Sequence, residues 1–246
     1  MSFSDDDIER YARHLVLAEI GGPGQQRLKA ARVAIVGLGG VGAPAALYLA
    51  AAGLGALRLI DHDEVGLSNL QRQILFSEPD VGALKVEAGA ERLAGLNEHV
   101  EIETAPERLT AANADWLLEG CDAVIDGTDD FATRFAVNAA CVAAGVPLVS
   151  GALGRWSGQV GVFAGRPCYR CLVSEAPPDA ETCARVGVVG ALAGVVGSMA
   201  ALEAIKLIVG AGVPLTGRLL IYDGLAGTAR TVAMAADPSC PVCAPR

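Results

Sequence analysis

Short apolar runs at residues 32–36, 57–60, 123–126 and 148–150, with a weaker one at 100–104, alternate with longer segments of helical spacing at 43–52, 85–96 and 134–144. The short runs have the length of strands and the longer ones that of helices, so the first 150 or so residues predict the strand–helix alternation of a parallel sheet. Ser4 followed by Asp5, Asp6 and Asp7 predicts a helix N-cap with acids in the first turn, opening a helix over residues 5–17. Gly21, Gly22, Pro23 and Gly24 are expected to break it. From Trp156 onward the pattern changes: residues 159–163, 218–222 and 230–234 predict short antiparallel strands around a helix over about residues 188–209.

No internal repeat, low-complexity tract or linker divides the chain. The expected fold is α/β, a Rossmann-like βαβ nucleotide-binding half that continues into a mixed sheet with antiparallel strands. One domain should hold a helical arm (about residues 1–30), a nucleotide-binding half (about 31–155) and a second half (about 156–246).

Composition narrows the function classes. Of 246 residues, 52% are hydrophobic and 19% charged, which excludes a disordered chain. The net charge of −9 argues against a nucleic-acid partner, because too few cations are present to replace the counterions of a phosphate backbone. The longest apolar stretch, residues 186–202, is interrupted by four glycines and Ser198 and is followed by Glu203 and Lys206. It falls about a turn short of the roughly 20 residues a membrane span needs and predicts a buried helix. The acidic start lacks the positive charge of an export signal, so a cytoplasmic protein with reduced thiols is expected.

Three constellations then carry chemistry. Gly37, Gly39 and Gly42 form G-x-G-x-x-G between a strand and a helix, with Asp61 ending the next strand. Glycines there let a phosphate approach the helix N-terminus, and the acid can accept from ribose hydroxyls; the same glycines also permit close strand–helix packing. Alone, the motif points to NAD(P). Arg72, Asn69 and Lys85, one of only three lysines, follow on the sheet-end loops and shift the expectation to a triphosphate, hence ATP. Asp126-Gly-Thr-Asp129-Asp130 ends a strand, where Asp129 can hold Mg²⁺ and Asp130 suits a helix cap.

Cys168-x-x-Cys171 and Cys240-x-x-Cys243 together supply the four thiolates of a closed structural zinc site, a long-range staple for the C-terminal tail. Cys121 and Cys141 read as core residues. Cys183, in a polar crossover segment beside Arg185, is either a nucleophile or an idle loop thiol. His14, His62 and His99 form no catalytic or metal-binding pattern.

Taken in order, Arg10-Tyr-Ala-Arg13, the glycine turn, residues 67–73 (LSNLQRQ), Gly127-Thr-Asp129, both Cys-x-x-Cys pairs and residues 201–206 (ALEAIK) make the chain resemble the MoeB/ThiF adenylyltransferases, relatives of the ubiquitin-activating enzymes. The resemblance implies ATP binding at Gly40, Asp61, Ser68, Asn69, Leu70, Gln71, Arg72, Lys85, Asp129 and Asp130, with Asp129 serving Mg²⁺. It implies a homodimer in which Arg13 enters the partner subunit's site, and a substrate that is a small ubiquitin-like sulfur carrier ending in Gly-Gly. A sulfur-donating desulfurase is a further implied partner. In the ThiF and ubiquitin-activating branches a cysteine at or near Cys183 serves a later covalent step, whereas in the MoeB branch it is dispensable. The implied reaction is ATP-dependent adenylation of the carrier's terminal carboxylate, for molybdopterin or thiamine biosynthesis. The competing expectations are an NAD(P)-dependent oxidoreductase and a non-catalytic carrier-binding protein.

Overall fold

The computed structural model describes residues 3–177 and 187–244. Its strands are β1 (Arg32–Val36), β2 (Ala56–Ile60), β3 (Glu101–Ala105), β4 (Ala123–Asp126), β5 (Leu148–Leu153), β6 (Ser157–Phe163), β7 (Arg218–Asp223) and β8 (Thr228–Ala233). They form one sheet in the order β3-β2-β1-β4-β5-β6-β7-β8. The first five positions in that order pair in parallel, and β6, β7 and β8 pair antiparallel. The chain therefore runs outward from β1 in both directions, which opens a crevice beyond the carboxyl ends of β1 and β4.

Alternate residues of β1 feed two cores. Val33 and Ile35 face one side with α4 (Gly42–Ala51), α5 (Lys85–Leu96) and α9 (Gly190–Val209), while Ala34 and Val36 face the other with α6 (Ala114–Leu117) and α7 (Phe131–Ala144). Burial on both faces is why these strands read as continuous apolar runs. The helix α9 is long and apolar enough to cross a membrane, yet half of its apolar window is buried inside the fold, and it packs on α4, β5 and β6. Its Glu203 is also buried and is satisfied by Lys206 Nζ at 2.6 Å and the Leu215 N–H at 2.7 Å.

The N-terminal region differs from the sequence expectation in two places. Ser4 caps α1 (Asp5–Arg10) as expected, but that helix ends short of the expected span and resumes as α2 (Ala12–Leu15), with Tyr11 turned out of helical geometry between them. Tyr11 is buried, and its hydroxyl accepts from Asn97 Nδ2 at 2.9 Å, so a tertiary contact overrides helix continuity. The Gly21–Gly24 segment does not remain a break: it opens α3 (Gly21–Ala30). Pro23 lies in the first turn, where its missing N–H costs nothing. Gln25 is fully buried, donating to Ala52 O at 2.8 Å and meeting His14 Nδ1 at 2.9 Å, which gives this polar helix its anchor. Elsewhere the boundaries move by a few residues, the largest changes being the three-residue extensions of β5 to Leu153 and of α7 back to Phe131. The short α8 (Tyr169–Leu172) also carried no sequence signal.

Candidate active site

The turn from β1 into α4 is shaped by two glycines with different duties. Gly37 has φ +85°, a left-handed conformation, and a Cβ on Gly42 would lie 1.9 Å from Gly37 O, so no side chain fits. Packing alone thus explains Gly42. Above Gly39, by contrast, a Cβ would meet nothing closer than 3.8 Å, leaving room for a ligand to approach the backbone.

This turn forms one wall of a cavity of about 450 Å³. Of the residues expected from the sequence, Gly37, Gly39, Gly40, Asp61, Asn69, Arg72, Lys85, Asp129 and Asp130 line it. Ser68, Leu70, Gln71, Gly42 and Arg13 do not line it. Ser68 acts through its carbonyl, which accepts from Arg72 Nη1 at 3.0 Å. Leu70 packs against the core, and Gln71 Nε2 donates to Val188 O at 3.4 Å. Arg13 is exposed on α2. Cys183 lies outside the described residues.

Asp61 Oδ2 accepts the Leu38 N–H at 2.7 Å and Oδ1 accepts the Asp63 N–H at 2.9 Å. Lys85, only 5% exposed, sits 2.9 Å from Asp63 Oδ2 and 3.9 Å from Asp61 Oδ2. Burial raises the Asp63 carboxyl, but the hydrogen bond and charge of Lys85 outweigh it and hold the group below the usual carboxylate range. Asn69 Oδ1 accepts the Gly66 N–H at 3.0 Å, so it is the amide donor that the side chain can offer a ligand. Arg108 joins the rim, with Nη2 2.9 Å from His62 Nε2 and Nη1 3.5 Å from Asp130 Oδ2.

At the end of β4 the two acids divide their work. Asp130 caps α7, accepting the Thr133 N–H at 2.8 Å, while Asp129 is exposed to the cavity. Asp126, fully buried, accepts from Thr128 and Ser150 and pairs with Arg134 Nη1 at 3.4 Å. Burial opposes the charge of Arg134, and Asp126, together with Tyr169 and Asp129, more than restores it. Neither Asp63, Arg108 nor Arg134 stood out in the sequence by type. A signal existed for Arg134: with Asn138 it forms an i, i+4 polar pair inside a helix that is apolar apart from them and Thr133, and both are buried.

The four cysteines of the Cys-x-x-Cys pairs come together, all Sγ atoms lying within 4.8 Å of one another. Cys168 and Cys240 Sγ are 3.6 Å apart and Cys171 and Cys243 Sγ 3.4 Å apart. These separations are far beyond the ~2.05 Å of a disulfide. They are close to the ~3.8 Å that four sulfurs at ~2.3 Å from a tetrahedral zinc require. Burial raises the Cys240 thiol, yet the Cys243 and Val242 N–H groups aimed at it, with the neighbouring Cys168 and Cys243 thiols, bring it down to about 7. Asn138 Nδ2 approaches Cys168 Sγ at 3.6 Å from α7. The donor set therefore fits zinc. Cys121 and Cys141 are buried as expected, and burial pushes both thiols up, Cys141 to about 12.

Known proteins align with the chain over nearly its whole length. It is 44% identical to a sulfur carrier protein adenylyltransferase of Thermus thermophilus, over 99% of this chain and 93% of that protein. It is 45% identical to the molybdopterin-synthase adenylyltransferase of Escherichia coli, over 98% of each. Among solved structures, MccB of Escherichia coli shares the fold, with TM-score 0.86 at 24% identity over 98% of this chain and 76% of that one. These relatives support neither the oxidoreductase nor the non-catalytic expectation. Across residues 11–242 the chain matches the ThiF family, to which it belongs.

Proposed function

We propose that the protein is an ATP-dependent adenylyltransferase that activates the C-terminal glycine carboxylate of a small ubiquitin-like sulfur carrier, of the MoaD or ThiS type. The observation that carries this reading is the single cavity that joins the open backbone over Gly39, the cations Arg72 and Lys85, and the exposed carboxylate of Asp129. That combination suits a triphosphate with a divalent ion better than the pyrophosphate of a dinucleotide, which needs neither.

In the reaction, a carboxylate oxygen of the carrier attacks the α-phosphorus of ATP, and the bond from that phosphorus to the α,β-bridging oxygen breaks. Pyrophosphate leaves, and the carrier holds an acyl-adenylate. The nucleophile is already ionised, so the obstacle is bringing two anions together rather than moving a proton. Lys85, preorganised by Asp63 and Asp61, and Arg72, held by the Ser68 carbonyl, supply fixed positive charge that need not reorganise. The glycine turn and the N-terminus of α4 receive the phosphates. Asn69, with Ser68, Leu70 and Gln71, shapes the loop over the nucleotide, and Asp61 and Asp130 complete the binding set. Asp129 would hold Mg²⁺, which when bound screens charge between phosphate oxygens. Arg13, exposed on α2, is assigned to the active site of a second copy in a homodimer.

Zinc at Cys168, Cys171, Cys240 and Cys243 would supply no chemistry to the reaction; it would pin the C-terminal tail to the body of the fold. Thiolate ligands of this kind fit a cytoplasmic setting. The assigned pathway is molybdopterin or thiamine biosynthesis, with a desulfurase as the later sulfur source. Intact-mass spectrometry tests the reading: with ATP and Mg²⁺, a carrier ending in Gly-Gly should gain one AMP, and the same carrier lacking those two residues should not. Adenylation of the truncated carrier would overturn it.

A further inference from the structure

Between β4 and α7 the chain crosses in four residues, Gly127 to Asp130, and both sides of Asp129 are fixed. The Gly127 N–H donates to Val36 O at 2.9 Å. Thr128 donates its N–H and hydroxyl to Asp126 Oδ1 at 3.0 and 2.7 Å. Asp130 is held by its cap on α7. The last acceptor before Asp129 is the Thr128 carbonyl, and Arg134 Nη2 donates to it. The same guanidinium donates to Gly151 O at 2.9 Å and Ser150 Oγ at 3.1 Å and pairs with Asp126, so one side chain ties the end of β4 to the middle of β5. Arg134 is only 6% exposed, and the Tyr169 ring covers it at 5.8 Å.

A buried ion pair is a poor way to stabilise a helix face that Leu or Met could fill. What a guanidinium adds is direction, because its planar fork takes several acceptors at fixed angles, which an ammonium cannot do. We propose that Arg134 is a positioning residue for the adenylation site: by holding the Thr128 carbonyl against Ser150 and Gly151 in the middle of β5, it sets where the Asp129 carboxylate stands at the cavity. The inference rests on the assignment of Asp129 to the divalent ion.

The full-length chain carrying R134K or D129N tests both statements separately. The paramagnetic signal of enzyme-bound Mn²⁺·ATP reads ion retention without turnover, and calorimetry with metal-free ATP reads whether the rest of the cavity is intact. R134K should need about tenfold more Mn²⁺ for half-saturation while binding metal-free ATP within about twofold of the parent chain, and D129N should shift the Mn²⁺ midpoint at least as far. If D129N shifts the midpoint and R134K does not, the Arg134 inference is overturned and Asp129 stands. If D129N leaves the midpoint unchanged, the Asp129 assignment falls and the inference with it. Equal losses of Mn²⁺ and metal-free ATP binding in R134K would make Arg134 a packing residue only, again overturning the inference. Should R134K not fold, Ser150→Ala removes one acceptor of Arg134 and leaves the charge pair; a shift of about two- to threefold is expected, and none would overturn the inference.

Discussion

The Leu38 N–H, in the middle of the glycine turn, donates to Asp61 Oδ2 at 2.7 Å, so the loop after β1 is tied to the end of β2. Asp61 therefore serves the backbone as well as any nucleotide. Asp61→Ala should cost about 2 kcal/mol, because two backbone N–H groups lose their acceptor, and it should weaken ATP binding at least about tenfold. Asp61→Asn keeps one acceptor oxygen without the charge. With its NH2 facing the other N–H, it should recover no more than about half of the stability and little of the ATP affinity, as read by thermal melting and calorimetry. Recovery of both would assign Asp61 to the loop alone.

The Asp63–Lys85 pair gives a pH dependence with a definite sign. The folded carboxyl lies below its ordinary value, so the pair's stabilisation is fully present above the unfolded pKa of about 3.9 and is lost as pH falls through the lower folded value. Melting temperatures of the parent chain and of Asp63→Asn should differ at pH 6 and converge as pH falls through the lowered folded value. A gap that widened toward acid would contradict the pairing.

Much of this arrangement was legible in the sequence, for a physical reason. Strands buried on both faces, such as β1 and β4, must be continuously apolar, and a glycine turn followed by an alanine-rich helix has few other readings. What escaped detection depends on distant partners. The α3 helix is polar and opens with glycines and a proline, and its buried Gln25 makes sense only beside Ala52 and His14. The partners of Lys85 and the acceptors of Arg134 likewise come from separate strands, which no local window of sequence brings together.

The cysteine cluster predicts one zinc per chain. Cys243→Ser should lose that zinc and lower the melting temperature by about 5 °C or more, with earlier proteolysis of the tail after β8. Metal analysis of the purified chain and of the variant decides it; a full equivalent retained by Cys243→Ser would contradict the four-thiolate site.

Asp129 is the exposed acid at the end of β4, and Asp130 the cap. Asp129→Ala should slow adenylation at least about 100-fold with an unchanged melting temperature, as loss of a preorganised charge does. Asp130→Ala should instead lower stability by about 1 kcal/mol through loss of the cap. Steady-state kinetics and melting of the two variants separate the roles, and the opposite pattern would exchange them.

As proposed, the cavity joins ATP to the carrier's terminal carboxylate. Exchange of labelled pyrophosphate into ATP, run with Mg²⁺ and a carrier ending in Gly-Gly and then with the carrier shortened by those two residues, tests it most directly. Exchange is expected with the intact tail only, and repeating it with MoaD-type and ThiS-type carriers names the pathway. Exchange that proceeds without the tail, or none with any carrier despite ATP binding, would contradict it.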